Sequence, residues 1–186
     1  MRLTEQAHQL IAEVLPLGGR AIDATSGNGH DTLFLAQQVG SGGHVFAVDI
    51  QPEAIATTQL RLAAAGWAKN CDLRVLDHAQ LGQALPSAFR GTTDSVLFNL
   101  GYLPGGDHTL ITQVTTTLPA LQASLEALRK GGRLVTVVYP GHEGGLEESA
   151  QVAEFGERCA AQGHEVHIYH HNPLTRNPWI LSVTRR

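Results

Sequence analysis

Cysteine is almost missing from this chain: Cys71 and Cys159 are its whole complement in 186 residues. Two thiols cannot build the disulfide framework of a small secreted scaffold, and with no CxxC pair they offer no zinc site. They read as buried thiols. Aromatic residues make up only 5%, which argues against an aromatic-rich β-sandwich. No apolar run approaches the ~18–20 residues that cross a bilayer. The opening "MRLTEQAHQLIAEVLPLGG" mixes polar with apolar residues as an amphipathic helix does, so a cytoplasmic protein with no membrane partner is expected. Basic runs are missing as well. Beyond Arg185-Arg186 no cationic cluster stands out and the formal net charge is -4, so a nucleic acid would be gripped locally, without a broad positive face.

What is present fits a globular α/β protein. Hydrophobic residues reach 42% and there are 20 glycines, enough for many tight turns. The length suits a single domain over 1–186. Ten histidines are many, but His8, His44 and His164 fall where helix or turn surface is expected.

The order of elements is regular. Leu3, Ala7, Leu10, Ile11, Val14 and Leu15 recur at helical spacing until Leu17-Gly18-Gly19 ends the pattern. Strands are expected at 20–25, 44–50, 72–77, 94–100 and 132–140, with helices at 31–39, 52–66, 79–85, 117–130 and 145–162. Such alternation implies crossover connections and a parallel sheet covered on both faces. The tail breaks it: 165–171 and 179–186 are strand-like with no helix between, as in an antiparallel hairpin. Five parallel strands and a terminal hairpin are the element order of the Rossmann-like class I methyltransferases, a mostly parallel seven-stranded sheet.

In "AIDATSGNGHDTLFLA" (21–36) a strand enters a glycine-bearing turn and then a helix. Ligands of open parallel sheets bind beyond the carboxyl ends of the strands, where this turn lies. Gly27 and Gly29 let backbone approach a ligand closely. Asp49 ends the next strand twenty positions after Gly29, the offset at which an acid takes a ribose diol. A dinucleotide enzyme shares that geometry, but the third glycine of G-x-G-x-x-G is missing. Asp23 and Asp31 instead suit a cationic ligand bearing an ammonium and a sulfonium, which favours S-adenosylmethionine. Asp77, after the third strand, is placed to meet the adenine amine. Thr25, Asn28, Thr32, Ile50, Gln51, His78 and Asn99 complete the candidate cofactor-binding set.

"DSVLFNLGYLPGGD" (94–107) follows the fourth strand, where methyltransferases of this fold keep a substrate-facing loop. Asn99 and Tyr102 resemble the N-P-P-Y loop of exocyclic-amine methylases, without its two prolines. Gly101, Gly105 and Gly106 permit unusual backbone angles and Pro104 stiffens the loop. Together, "DATSGNGHDTLFLA", "FNLGYLPGGDH" and "YPGHEGGLEE" (139–148) resemble the MnmM (YtqB-like) family over nearly the whole chain. That resemblance implies an S-adenosylmethionine-dependent enzyme that methylates the amine of 5-aminomethyl-(2-thio)uridine at the tRNA wobble position. Its partner would be a tRNA anticodon stem-loop. The sequence leaves room for a homodimer.

Methyl transfer needs a neutral nucleophile held in line. An aliphatic amine with a pKa near ~10 is mostly protonated at neutral pH, so Asp107 or His108 is the candidate proton acceptor while Asn99 and Tyr102 orient the amine. These four form the candidate catalytic set. Tyr102, Gly105, Gly106, Tyr139, His142 and Arg176 are candidate substrate contacts, with Tyr139 able to stack on a base. Glu147 and Glu148 are expected to favour a helix dipole, and Thr116 or Thr117 to cap a helix. Methylation of a pyrimidine carbon commonly needs a cysteine nucleophile, and neither cysteine is placed for one. His108, His142, His170 and His171 show no metal-ligand spacing. Two other readings stay open: a small-molecule amine methyltransferase, and a non-catalytic S-adenosylmethionine-binding module.

Overall fold

The structure, a computed structural model, describes residues 2–101 and 111–186. The central strands are apolar on both faces, and the alternation is visible residue by residue. In β2 (His44–Asp49), Val45 and Ala47 join the core on one side and Phe46 and Val48 the core on the other. In β1 (Arg20–Asp23) and β4 (Thr93–Leu100), Ala21 and Leu97 face the first core while Ile22, Val96 and Phe98 face the second. A strand buried on both sides needs helices above and below it.

Three helices cover one face: α1 (Leu3–Ala12), α2 (His30–Val39) and α3 (Pro52–Ala65) insert Ile11, Leu35 and Leu62. The short α4 (Leu81–Ala84), α5 (Val114–Ala127) and α6 (Gly145–Ala161) cover the other with Leu81, Leu121 and Phe155. Pro52 occupies the first turn of α3, where its missing N–H costs nothing, and Gly66 closes the helix in the left-handed conformation.

With β3 (Cys71–Val75), β5 (Leu128–Val138), β6 (Glu165–Tyr169) and β7 (Trp179–Thr184), the sheet runs β3-β2-β1-β4-β5-β7-β6. The first five strands are parallel, and β7 lies antiparallel between β5 and the edge strand β6. The expected seven strands and terminal hairpin are therefore present. Because β1 has β2 on one side and β4 on the other, the chain reverses its direction of travel across the sheet there, which opens a crevice at the strand ends.

Two boundaries differ from expectation. The helix expected to reach residue 130 stops at Ala127, and β5 begins at Leu128. Leu128 pairs with Thr93 before the ladder shifts register and resumes at Arg133 opposite Ser95. Gly131, at φ +77°, supplies the irregularity and donates its N–H to the Arg185 carbonyl. The helix expected at 79–85 contracts to a 3-10 turn over His78–Gln80 followed by α4. No described helix is long and apolar enough to cross a membrane.

Candidate functional site

The glycine turn is suspended between two strand ends. The Ala24 N–H donates to the Leu97 carbonyl at 3.0 Å and the Ser26 N–H to the Val48 carbonyl at 2.9 Å. Gly27 and Gly29 take φ of +52° and +77°, a region that disfavours a side chain. A Cβ on Gly29 would also stand 2.8 Å from the Thr58 Cα, so helix α3 packs directly on the turn. From α3, the Thr58 hydroxyl donates to the Gly27 carbonyl at 3.1 Å and Arg61 Nε to the Asn28 carbonyl at 2.7 Å. Asp49 braces the turn from β2: its two carboxylate oxygens accept the Gly27 N–H at 2.8 Å and the Gln51 N–H at 3.0 Å. Each oxygen keeps a further lone pair for a hydroxyl donor.

Asp23 lies beneath the turn, fully buried, and accepts from the Thr32 hydroxyl at 2.6 Å and the Thr25 N–H at 3.2 Å. Burial, reinforced by the nearby Asp31 charge, pushes its carboxyl up to about 7. Asp77 accepts the Ala79 N–H at 2.9 Å and so fixes the start of the 3-10 turn. Burial holds His78 below the usual imidazole range, which keeps it neutral at pH 7; its Nε2 lies 3.2 Å from the Thr116 hydroxyl.

These elements enclose a cavity of about 1000 Å³. Thr25, Gly27, Asn28, Asp31 and Asn99 line it beside the crossover, and Asp49, Ile50, Gln51, Asp77 and His78 line the side nearer β2 and β3. Tyr139 and Arg176 also reach it. Asp23, Gly29 and Thr32 do not line it; they support the turn from below. His142 departs from its expected place. Its ring is buried, with Nδ1 2.8 Å from the Glu143 carbonyl and Nε2 3.5 Å from Glu148, so it faces α6 and not the cavity. Glu148 is likewise turned inward, where it accepts from the hydroxyls of Thr112 and Thr117. Neither Thr116 nor Thr117 caps α5, because Gln113 holds the N-cap position. Tyr102, Gly105, Gly106, Asp107 and His108 lie outside the described residues.

One residue assigned to the surface belongs to the site. His8, on α1, lines the cavity, and its Nε2 lies 2.6 Å from Asp31 Oδ1. Asp31 Oδ2 accepts from Asn99 Nδ2, also at 2.6 Å, and the Asn99 N–H donates to the Thr25 hydroxyl at 2.7 Å. The only sequence signal was the spacing of Thr4 and His8, which puts two polar side chains on one helical face.

The cavity can hold an adenosine-type ligand with a cationic end. It offers a close-approach glycine turn, the Asp49 carboxylate with lone pairs to spare, a second acid at Asp77, and the Asp31 carboxylate beside Asn99. Burial pushes Cys71 and Cys159 up to about 11, so both remain thiols at neutral pH. Cys71 opens β3 at the amino end of the sheet, opposite the cavity. Among the described residues no group of His, Cys, Asp or Glu is arranged to hold a metal ion.

A family model described as "Putative rRNA methylase" matches residues 45–185. The chloroplastic tRNA (mnm(5)s(2)U34)-methyltransferase of Arabidopsis thaliana is 44% identical over 163 residues, covering 83% of this chain. The chain spans 59% of the length of that curated relative. A crystal structure of a "putative rRNA-methylase" from Clostridium thermocellum superposes with a TM-score of 0.92 at 33% identity, covering 100% of this chain and 98% of that one. A "putative methyltransferase" from Streptococcus mutans, solved in complex with SAH, gives 0.85 at 32% identity, covering 100% and 99%. The fold is the Rossmann-like methyltransferase fold. With a match over most of its length and relatives of this similarity, the chain belongs to the "Putative rRNA methylase" family, the one to which its MnmM-like motifs point.

Proposed function

We propose that this chain is an S-adenosylmethionine-dependent N-methyltransferase acting on the amine of 5-aminomethyl-(2-thio)uridine at the tRNA wobble position, giving the methylaminomethyl form. The observation that carries the reading is Asn99: it stands one residue before the end of β4, lines the cavity, bonds to Asp31, and opens the sequence "NLGYLPGGD". The name of the Arabidopsis relative supports the same substrate.

S-adenosylmethionine supplies an electrophilic methyl group on a sulfonium. The candidate residues to hold it are Asp31 and Asn99 at the amino-acid end, Asp49 at the ribose, and Asp77 with the neutral His78 at the adenine. The chain must then align an amine and take its proton. With a pKa near ~10, roughly one amine in a thousand is neutral at pH 7, a cost of about 4 kcal/mol. Asp107 or His108 is the proposed acceptor of that proton, and Asn99 and Tyr102 the groups that orient the nitrogen. Burial and the Asp31 charge raise the Tyr139 phenol, which stays neutral and offers a ring face at the cavity for a base of the anticodon loop. Arg176, also at the cavity, is the proposed contact to a phosphate.

The test is incubation of purified protein with S-adenosylmethionine and tRNA bearing the aminomethyl precursor, followed by nucleoside mass spectrometry. A gain of one methyl on that nucleoside is expected, and none on free aminomethyl-uridine at the same concentration. Methylation of the free nucleoside alone would favour a small-molecule acceptor, and no transfer to either would sink the reading.

A further inference from the structure

We propose that His8 is a positioning residue of this site, acting through Asp31 to hold the carboxylate and the Asn99 amide that meet the cationic amino-acid end of the cofactor. The inference rests on the cofactor reading above. Three elements converge on Asp31: α2 carries it, α1 brings His8 Nε2 to 2.6 Å from Oδ1, and β4 brings Asn99 Nδ2 to 2.6 Å from Oδ2. Both oxygens are thus held from opposite sides, and the carboxylate plane is fixed without the ligand.

His8 is itself held. Its ring stacks on Phe34 of α2, with centroids 3.8 Å apart and planes 2° from parallel. Its side chain is 27% exposed and that of Asp31 16%, so the hydrogen bond lies in a partly shielded place where charge assistance counts. The consequence reaches Asn99. An amide that donates from Nδ2 to a carboxylate cannot flip without opposing two acceptors, so Oδ1 is kept on the branch away from Asp31. His8 therefore sets two polar groups at once, one anionic and one a carbonyl acceptor. Each is suited to an ammonium.

A stacking contact alone would make His8 a packing residue joining α1 to α2. Two substitutions separate the roles. H8F keeps a ring against Phe34 and removes the donor, whereas H8Q gives up the ring and returns an N–H at the reach of Nε2. The probes are S-adenosylhomocysteine and methylthioadenosine, which share the adenosine, the second lacking the amino-acid end. In calorimetric titrations of the full chain, H8F should weaken S-adenosylhomocysteine about tenfold and methylthioadenosine by less than about twofold. H8Q should recover most of the loss, and H8F added to D31N should cost nothing further. Unchanged S-adenosylhomocysteine affinity in H8F, equal loss of both ligands, or no recovery in H8Q would each overturn the proposal. Failure of the unaltered chain to bind either compound is a different result and overturns the cofactor reading itself.

Discussion

The Thr112 hydroxyl donates across 2.7 Å to Oε2 of Glu148, a carboxylate buried in α6, while Thr117 donates to its other oxygen at 2.6 Å. Thr112 also donates its N–H to the Gly101 carbonyl at 2.9 Å. Glu148 therefore holds Thr112, and Thr112 in turn ties the chain before residue 102 to the chain after residue 110 through its bond to Gly101. Glu148→Ala would strand the buried Thr117 hydroxyl and the half-buried Thr112 hydroxyl and should cost about 2–4 kcal/mol. Glu148→Gln keeps an acceptor for one and a donor for the other, and should cost about half as much. Urea unfolding of both variants measures this; a fully stable Glu148→Ala protein would refute the anchoring role.

Gly29 gives a sharper steric test. Its φ of +77° already disfavours a side chain, and an added Cβ would meet backbone, the Thr58 Cα at 2.8 Å, which cannot rotate away. Gly29→Ala should destabilise by about 1–3 kcal/mol and lower ligand affinity as α3 is pushed from the turn. Gly66 has a similar φ of +79° but nothing within 4 Å of the added atom. Gly66→Ala should therefore cost only the conformational part, about 1 kcal/mol. Equal losses in the two thermal melts would mean that the packing of α3 on the turn contributes nothing.

How far the sequence alone reaches is visible in these residues. The succession of strands and helices along the chain, and the terminal hairpin, follow from apolar runs and helical spacing, which are local, and Asp49 follows from a fixed offset between adjacent elements. His8 and Glu148 do not follow. Each meets its partners across long sequence separations, Asp31 from α1 in one case and Thr112 and Thr117 from α6 in the other. A polar residue on an amphipathic helix reads as solvent-facing unless something else is known to cover it. His142 was misplaced for the same reason: a strand-end position fixes which end of the sheet a side chain occupies, but not whether it turns toward the cavity or toward α6.

Asp23 should leave a pH signature. Its carboxyl rises from an ordinary 3.8 to about 7 in the folded chain, mainly through burial. Between these values the folded state holds a proton that the unfolded state has lost, so this group's contribution falls as pH rises from about 4 to 7 and is flat above. Asp23→Asn removes the effect. Its stability relative to the parent chain should increase over that window, by up to about 4 kcal/mol, and stay constant from pH 7.5 to 9. Unfolding free energies at four pH values check it, and a difference independent of pH would show that Asp23 ionises normally.

The cysteines distinguish amine from ring-carbon chemistry. With both thiols raised to about 11 by burial, and Cys71 at the wrong end of the sheet, neither can supply a thiolate to a pyrimidine ring at neutral pH. A Cys71→Ser, Cys159→Ala double variant should keep methyl transfer within about threefold, allowing for a small packing loss at the buried Cys159. Loss of transfer in a variant that still folds and binds S-adenosylhomocysteine would reopen a covalent mechanism.

Asp49 should respond differently from His8. Its carboxylate joins the glycine turn to the start of α3 through the Gly27 and Gln51 N–H groups, and its remaining lone pairs are the proposed acceptors for the ribose diol. Asp49→Ala removes both services and leaves two backbone donors without that partner, for a stability loss of about 1–3 kcal/mol. Because the ribose is common to S-adenosylhomocysteine and methylthioadenosine, their affinities should fall together, by about a hundredfold. Substitution of His8 should weaken only the first. Parallel titrations of the two variants therefore locate the two ends of the ligand along the cavity. If Asp49→Ala spared methylthioadenosine, the adenosine would have to lie elsewhere than against β2, and the assignment of Asp77 and His78 to the adenine would fall with it.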